Sequence, residues 1–244
     1  MSPRRISDCI RSCLLSMVWN GPCSESGSQS IENIDLRADK ISGTLESLLS
    51  IFGEIFSIPA DDGLVFDLTS LKAREKKQDE YLGTNISITA LLGNTRLPVS
   101  IDIGFGDVIV PSKKEMSFPV LLDMECPLIY GYSIESVLAE KFEAIVSLGY
   151  ANSRFKDFYD IYVILQSEKI DAELLQEAIV QTFQNRKTAF DDVVVFEDSF
   201  ATDIERVKRW NAFVKKKNAL VQVTFDKVVE QIKVYFKPIV DRVG

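Results

Sequence analysis

The chain is 244 residues long, with 28 Lys and Arg against 36 Asp and Glu, a formal net charge of −8 and no histidine. The missing imidazole excludes Ser-His-Asp and Cys-His nucleophilic catalysis and every zinc site that needs a histidine, which leaves carboxylates, lysines, arginines, hydroxyls and a bound metal ion to carry any chemistry. A composition of 46% hydrophobic and 26% charged residues is that of a soluble globular protein, and the acidic balance argues against a protein that coats nucleic acid through its overall field while leaving room for a local basic patch.

Residues 6–19 repeat Ile6, Ile10, Leu14 and Met17 or Val18 at helical spacing. Asp8 and Arg11 interrupt the approach to the short apolar run from Cys13 to Trp19, and no small-residue cleavage site follows, which argues against a targeting segment. No other stretch reaches the roughly 18 apolar residues that a bilayer span requires, so a cytoplasmic protein with no membrane association is expected. Cys9, Cys13, Cys23 and Cys126 contain no Cys-x-x-Cys pair and read as reduced thiols. The Gly/Ser-rich residues 20–30 form a loop, Ile31–Leu36 a short strand, and residues 41–57 a helix that Ser42 can cap.

Leu64–Leu68 is predicted as a strand, followed by the charged segment Lys72–Glu80. Asn85–Leu92 and Thr95–Phe105 flank Gly93-Asn94, a two-residue turn of the kind that closes tight hairpins. Pairing Leu92 with Thr95 sets Ile88 opposite Val99 and Ile86 opposite Ile101 on one face. Ser87 then meets Ser100, and Asn85 meets Asp102, on the other. Beyond a Pro-punctuated loop from Pro111 to Pro127 the pattern turns helical. Ser133 can cap a helix to about Leu148, and Asn152 begins another to about Gln166. Asp171 caps one near 172–184, another lies around 202–217, and Thr224 caps a last one over 225–241 that Pro238 kinks or ends. The expected architecture is α+β: a mixed or antiparallel sheet with helices over residues 1–130, then a helical domain over 131–244 packed against it.

Three segments carry candidate chemistry. In Val99–Asp107, Val99, Ile101, Ile103 and Phe105 point one way and Ser100, Asp102, Gly104 and Gly106 the other. Asp102 either faces solvent on a one-sided sheet or is paired or bound to a cation. Lys141 lies beside the apolar stripe Val137, Leu138, Phe142 and Ile145, where a lysine either snorkels or pairs with an anion. Asp157 and Asp160 share one helix face among Phe155, Phe158, Tyr159 and Tyr162. Lys141, Arg154 or Lys156 could supply their counter-charges, in an inter-helix salt bridge or in a site.

Together and in this order, residues 99–107, 137–144 and 152–160 resemble the AbiEii/AbiGii toxin family of nucleotidyltransferases, and a weaker likeness runs from about Ile31 to Val240. The resemblance implies a polymerase-beta-like nucleotidyltransferase head followed by a helical C-terminal half. It implies an enzyme that transfers a nucleotide from an NTP to an RNA acceptor, tRNA in members of this kind, and that serves as the toxin of a toxin–antitoxin or phage-defence pair. Mg²⁺ or Mn²⁺ is the implied cofactor and a cognate antitoxin an implied partner. By position, Asp35 matches the second carboxylate of the family's Asp-x-Asp strand, and Asp102 the further sheet carboxylate that completes the metal cluster or serves as base; both are the implied catalytic, metal-holding residues. Lys141 matches the lysine near the triphosphate, and Asp157 and Asp160 the acidic pair that orients it or the nucleotide. The sequence departs from the family at two places: Arg11-Ser12-Cys13-Leu14 lacks the expected glycines, and Asn33-Ile34-Asp35 stands where Asp-x-Asp is expected. Two readings therefore stand, an active metal-dependent transferase and a relative that binds nucleotide, RNA or antitoxin without transferring anything. Lys72–Lys77 and the run Arg206, Lys208, Arg209 and Lys215–Lys217 are candidate contacts for an RNA backbone, or solvated faces.

Overall fold

The computed structural model describes residues 2–18, 34–38, 41–78, 81–105, 114–117, 126–216 and 222–244. These divide into two compact units, Met1–Asp107 with Glu115–Gly131 and Val108–Lys114 with Tyr132–Gly244. The fold is mixed α+β.

The first unit is built on a four-stranded mixed sheet of order β1-β4-β3-β2, made of β1 (Ile34–Ala38), β2 (Leu64–Gln78), β3 (Tyr81–Leu92) and β4 (Thr95–Phe105). The β3–β4 hairpin has the register expected from its turn, from Leu92 opposite Thr95 out to Gly83 opposite Gly104, and Gly93 takes the positive φ of 56° that the two-residue turn requires. β1 joins the far side of β4 in parallel, with Asp35 beside Asp102. Two helices, α1 (Pro3–Val18) and α2 (Leu45–Phe56), contribute to the core. Cys9, Ile10, Leu48, Phe52, Ile55 and Phe56 pack with Ile34, Ile86, Ile88, Val99, Ile101 and Ile103 of the sheet. The expected Ser42 cap is displaced by two residues: Thr44 caps α2, accepting from the Ser47 amide at 3.3 Å. Residues 31–33 of the expected first strand lie outside the described residues, and the described strand runs on to Ala38.

The charged segment after Leu68 continues β2. Its register to β3 shifts between Asp67 and Lys72, where the Asp67 carboxylate accepts from the Thr69 amide at 3.1 Å and the Ser70 hydroxyl accepts from the Thr89 amide at 2.9 Å. The loop expected from Pro111 to Pro127 holds a short strand, β5 (Lys114–Ser117), which pairs with β6 (Leu128–Gly131). An ion pair from Arg5 to Glu115 at 2.5 Å ties α1 to β5. Cys9 is buried and Cys126 exposed; Cys23 lies outside the described residues.

The second unit is helical: α3 (Ile134–Leu148), α4 (Phe155–Ser167), α5 (Ala172–Arg186), α6 (Asp198–Thr202), α7 (Ile204–Lys216) and α8 (Phe225–Val243). Ser133 and Asp171 cap α3 and α5 through their side chains. Thr224 occupies the cap position of α8 without a side-chain hydrogen bond to the helix backbone. Pro238 does not end α8; Val234, whose carbonyl loses its partner there, is 60% exposed, so water can take the place of the missing N–H. The core is aromatic, with Phe142, Phe158, Phe183, Phe200, Trp210, Phe225 and Phe236 buried together. Among the described residues no helix is long and apolar enough to cross a membrane.

α4 begins at Phe155 rather than Asn152, because Asn152 is spent on holding the turn before it. Its side-chain oxygen accepts from the Arg154 amide at 2.7 Å, and its amide donates to the Ala144 carbonyl at 3.4 Å. Arg206 completes this anchor and is not the surface cation its sequence context suggested. It is 8% exposed, its guanidinium lies 3.9 Å over the Phe200 ring, and it donates to the carbonyls of Tyr150 and Asn152 at 3.1 and 3.3 Å. Two charge-assisted hydrogen bonds and a desolvated cation–π contact make Arg206→Ala cost about 2–4 kcal/mol of stability. Chemical denaturation checks this. The exposed Lys208 and Arg209 should each cost less than about 0.5 kcal/mol when truncated.

Candidate functional site

On the sheet of the first unit one face is core and the other carries the polar side chains. Ile34, Ile101, Ile103 and Ile86 are buried, so alternation turns Asp35, Asp102 and Asn85 to the opposite face. The register aligns these three in one row across β1, β4 and β3. Asp35 is exposed and Asp102 half-buried. Asn85 donates to the Asp102 Oδ1 at 2.7 Å and to the Ser100 hydroxyl at 2.9 Å, which holds the Asp102 carboxylate in place.

Side chains in register on adjacent strands start about 4.8 Å apart. Two carboxylates at that spacing repel by about 1–3 kcal/mol between the dielectric limits of water and a protein surface. A divalent cation between them reverses the sign of that interaction. Both ligands are hard oxygens, the donor type that Mg²⁺ takes when one or two carboxylates and substrate phosphates hold it, so the pair fits such an ion. Among the described residues no group of three or more acidic or cysteine side chains gathers as a metal site. Asn33 lies outside the described residues.

The same face explains the alternation of the charged segment in β2. Leu71 and Ala73 pack on the core, which turns Lys72 and Arg74 to the face opposite it. Lys72 is in register with Ser87 and Arg74 with Asn85, so the row of the two carboxylates ends in an exposed arginine on the edge strand. The period-two pattern Leu71-Lys72-Ala73-Arg74 was the signal for this, legible once the segment is taken as a strand.

The second unit gathers Lys141, Asp157 and Asp160. Lys141 on α3 donates to Asp157 Oδ1 at 3.1 Å and to Asp160 Oδ2 at 2.7 Å on α4. Lys156 also meets Asp160 Oδ2 at 2.7 Å, and Arg154 Nε lies 2.9 Å from Asp157 Oδ2. Three cations thus face two carboxylates, an excess of one positive charge. Both carboxylates are well buried, at 7% and 14% side-chain exposure, because Phe155, Phe158, Tyr159 and Ile161 anchor the other sides of α4 in the core. Burial by itself would lower the pKa of the Lys141 ammonium, but Asp160 and Asp157 outweigh it and hold the pKa above its ordinary value. Lys141 is therefore a fixed cation at neutral pH and cannot serve as a base. Of its three N–H donors, the two aspartates take two.

On the neighbouring turn of α3, Glu143 is 4% exposed and receives Arg186 at 2.7 Å and the Thr188 hydroxyl at 2.5 Å. This buried charge pair clamps α3 to the C-terminal end of α5.

Residues 32–231 match the family model described as the nucleotidyl transferase AbiEii toxin of a type IV toxin–antitoxin system. No curated protein matches the chain. Among solved structures, JHP933 from Helicobacter pylori is similar at 12% identity and a TM-score of 0.48, over 98% of this chain and 90% of that one. A candidate nucleotidyltransferase from H. pylori is similar at 11% identity and a TM-score of 0.48, over 98% and 93% of the two chains.

Proposed function

Because the chain belongs to the AbiEii family of nucleotidyltransferase toxins of type IV toxin–antitoxin systems, we propose that it transfers a nucleotide from an NTP to an RNA acceptor, tRNA being the first to test, and that Asp35 and Asp102 hold the catalytic metal ion. The observation that carries this reading is the in-register placement of the two carboxylates on the sheet face opposite the core. A bound Mg²⁺ there would polarise the α-phosphate and offset the charge of the departing pyrophosphate. Asp102, oriented by Asn85, is suited to accept the proton of the attacking hydroxyl. For Lys141 we propose contact with the triphosphate through its remaining N–H, with Asp157 and Asp160 holding the ammonium in position. As a toxin the chain has an antitoxin partner, and phage defence and a cytoplasmic site of action are part of the same proposal.

Incubation with Mg²⁺, each labelled NTP in turn and total tRNA tests the reaction. Label on RNA that disappears with EDTA is expected; NTP binding with no label on RNA under any NTP would sink it.

A polyanionic acceptor needs basic contacts on an acidic protein. Lys72 and Arg74 share the carboxylates' face, and we propose that they track the acceptor backbone. The double variant Lys72→Ala/Arg74→Ala should raise the acceptor KM about tenfold and lower the steepness of its salt dependence by about 1.4 in log–log slope, the value for two contacts on a single strand. The NTP KM should stay unchanged; an acceptor KM within twofold of wild type at all salt concentrations would refute the role.

A further inference from the structure

Arg37 stands two residues after Asp35 on β1, in register with Gly104 of β4, which is opposite Gly83 of β3. Leu36 and Ala38 pack on the core, so alternation turns Arg37 to the opposite face with Asp35. The next row beyond the two carboxylates on this face is therefore Arg37, Gly104 and Gly83, continued on β2 by Lys76, with two glycines between the two basic positions. The Arg37 Nε is enclosed and has no hydrogen-bond partner among the described residues. A guanidinium has only donors to offer, and an enclosed donor without an acceptor is costly. An oxyanion laid over the two glycines would give the guanidinium an acceptor at its terminal NH2 groups.

Two residues along a strand cover about 7 Å, so a cation held by Asp35 and Asp102 and an anion held by Arg37 would be neighbours on one surface. The planar fork of arginine matches phosphate oxygens in pairs. We infer that Arg37 binds a phosphate group of the reactants, from the nucleotide's triphosphate or from the sugar-phosphate backbone of the acceptor. The inference rests on the nucleotidyl-transfer reading above and adds a phosphate-binding residue to it.

Equilibrium binding by the full chain decides the matter without turnover. Tripolyphosphate with Mg²⁺, and separately a short single-stranded RNA, are titrated into the wild type, Arg37→Gln and Arg37→Lys. Loss of a charge-assisted hydrogen bond should weaken one of the two probes by about tenfold or more in Arg37→Gln, with part of the affinity recovered in Arg37→Lys, which keeps the charge and loses the fork. Weaker tripolyphosphate binding assigns the phosphate to the nucleotide, and weaker RNA binding assigns it to the acceptor. Both affinities within twofold of wild type, or no binding of either probe by the wild type, would overturn the inference. Should Arg37→Gln fail to fold, Arg37→Lys decides, with a loss of about threefold expected. A transfer assay on the wild type runs alongside: absence of transfer there counts against the reaction, while the binding comparison still judges Arg37.

Discussion

Asp102→Asn is expected to lower the rate of nucleotide transfer at least about 100-fold while leaving the protein folded. Altering groups that merely orient a metal's ligands costs 10–100-fold, so removing the charge of a ligand itself should cost no less. The substitution isolates that charge. Asn keeps the size of the side chain and an oxygen that can accept from Asn85, which now donates to Asp102 Oδ1 at 2.7 Å. The position is on the polar face rather than in the core, so the thermal midpoint should change by only a few degrees. Single-turnover transfer of labelled nucleotide, measured beside thermal melting, checks both halves. A rate within fivefold of wild type would remove Asp102 from the metal site. Asp35→Asn should act in the same direction, because the two residues are partners in register.

Lys141→Met should destabilise the helical unit by about 3 kcal/mol, within the usual cost of breaking a buried ion pair from one side. Methionine keeps the apolar stem beside Leu138, Phe142 and Ile145, which are fully buried, so the loss reports the ammonium. Asp157 and Asp160 would keep Arg154 and Lys156, but those two cations are mostly exposed, at 54% and 62%, and exposed partners screen poorly buried charge. For a chain of this size the expected fall in thermal midpoint is about 6–12 °C. The pH dependence follows from the direction of the lysine's shift. Burial would lower the Lys141 pKa, yet the two aspartates raise it above its ordinary 10.5. The stabilisation is therefore fully present below that value and is lost as pH rises through the higher folded-state pKa. The stability gap between wild type and Lys141→Met should be level across neutral pH and close only in strong alkali. A gap that already narrows near neutrality would mean that Lys141 is not held as a fixed cation.

Local features of the sequence account for much of the fold. The Gly93-Asn94 turn sets the hairpin register, because a two-residue loop leaves one pairing, and alternation then divides the apolar from the polar face. Ser133 and Asp171 mark helix starts through a hydroxyl or carboxylate three positions from an amide that needs it. Where local reading slipped, long-range contacts had outcompeted local ones. Asn152 resembles a helix cap, but its side chain ties down the turn between α3 and α4. Arg206 sits in a run of basic residues, yet the carbonyls of Tyr150 and Asn152 and the face of Phe200 draw it inward.

For the candidate site the division is sharper. Residue identity and spacing determined which groups are available: a chain without histidine, Asp102 alternating against an apolar stripe, Asp157 and Asp160 on one helix face, and motif order enough to suggest the family. Which of them stand together was a tertiary matter. Asp35 meets Asp102 only through a parallel pairing of strands far apart in sequence, and such a register is set by packing on α1 and α2 rather than by any turn. Arg37 becomes a neighbour of that pair for the same reason, whereas Lys72 and Arg74 reach the row through the antiparallel pairing of β2 with the next strand, β3. A hairpin is specified by its own loop, whereas a parallel strand takes its place from the core it must cover.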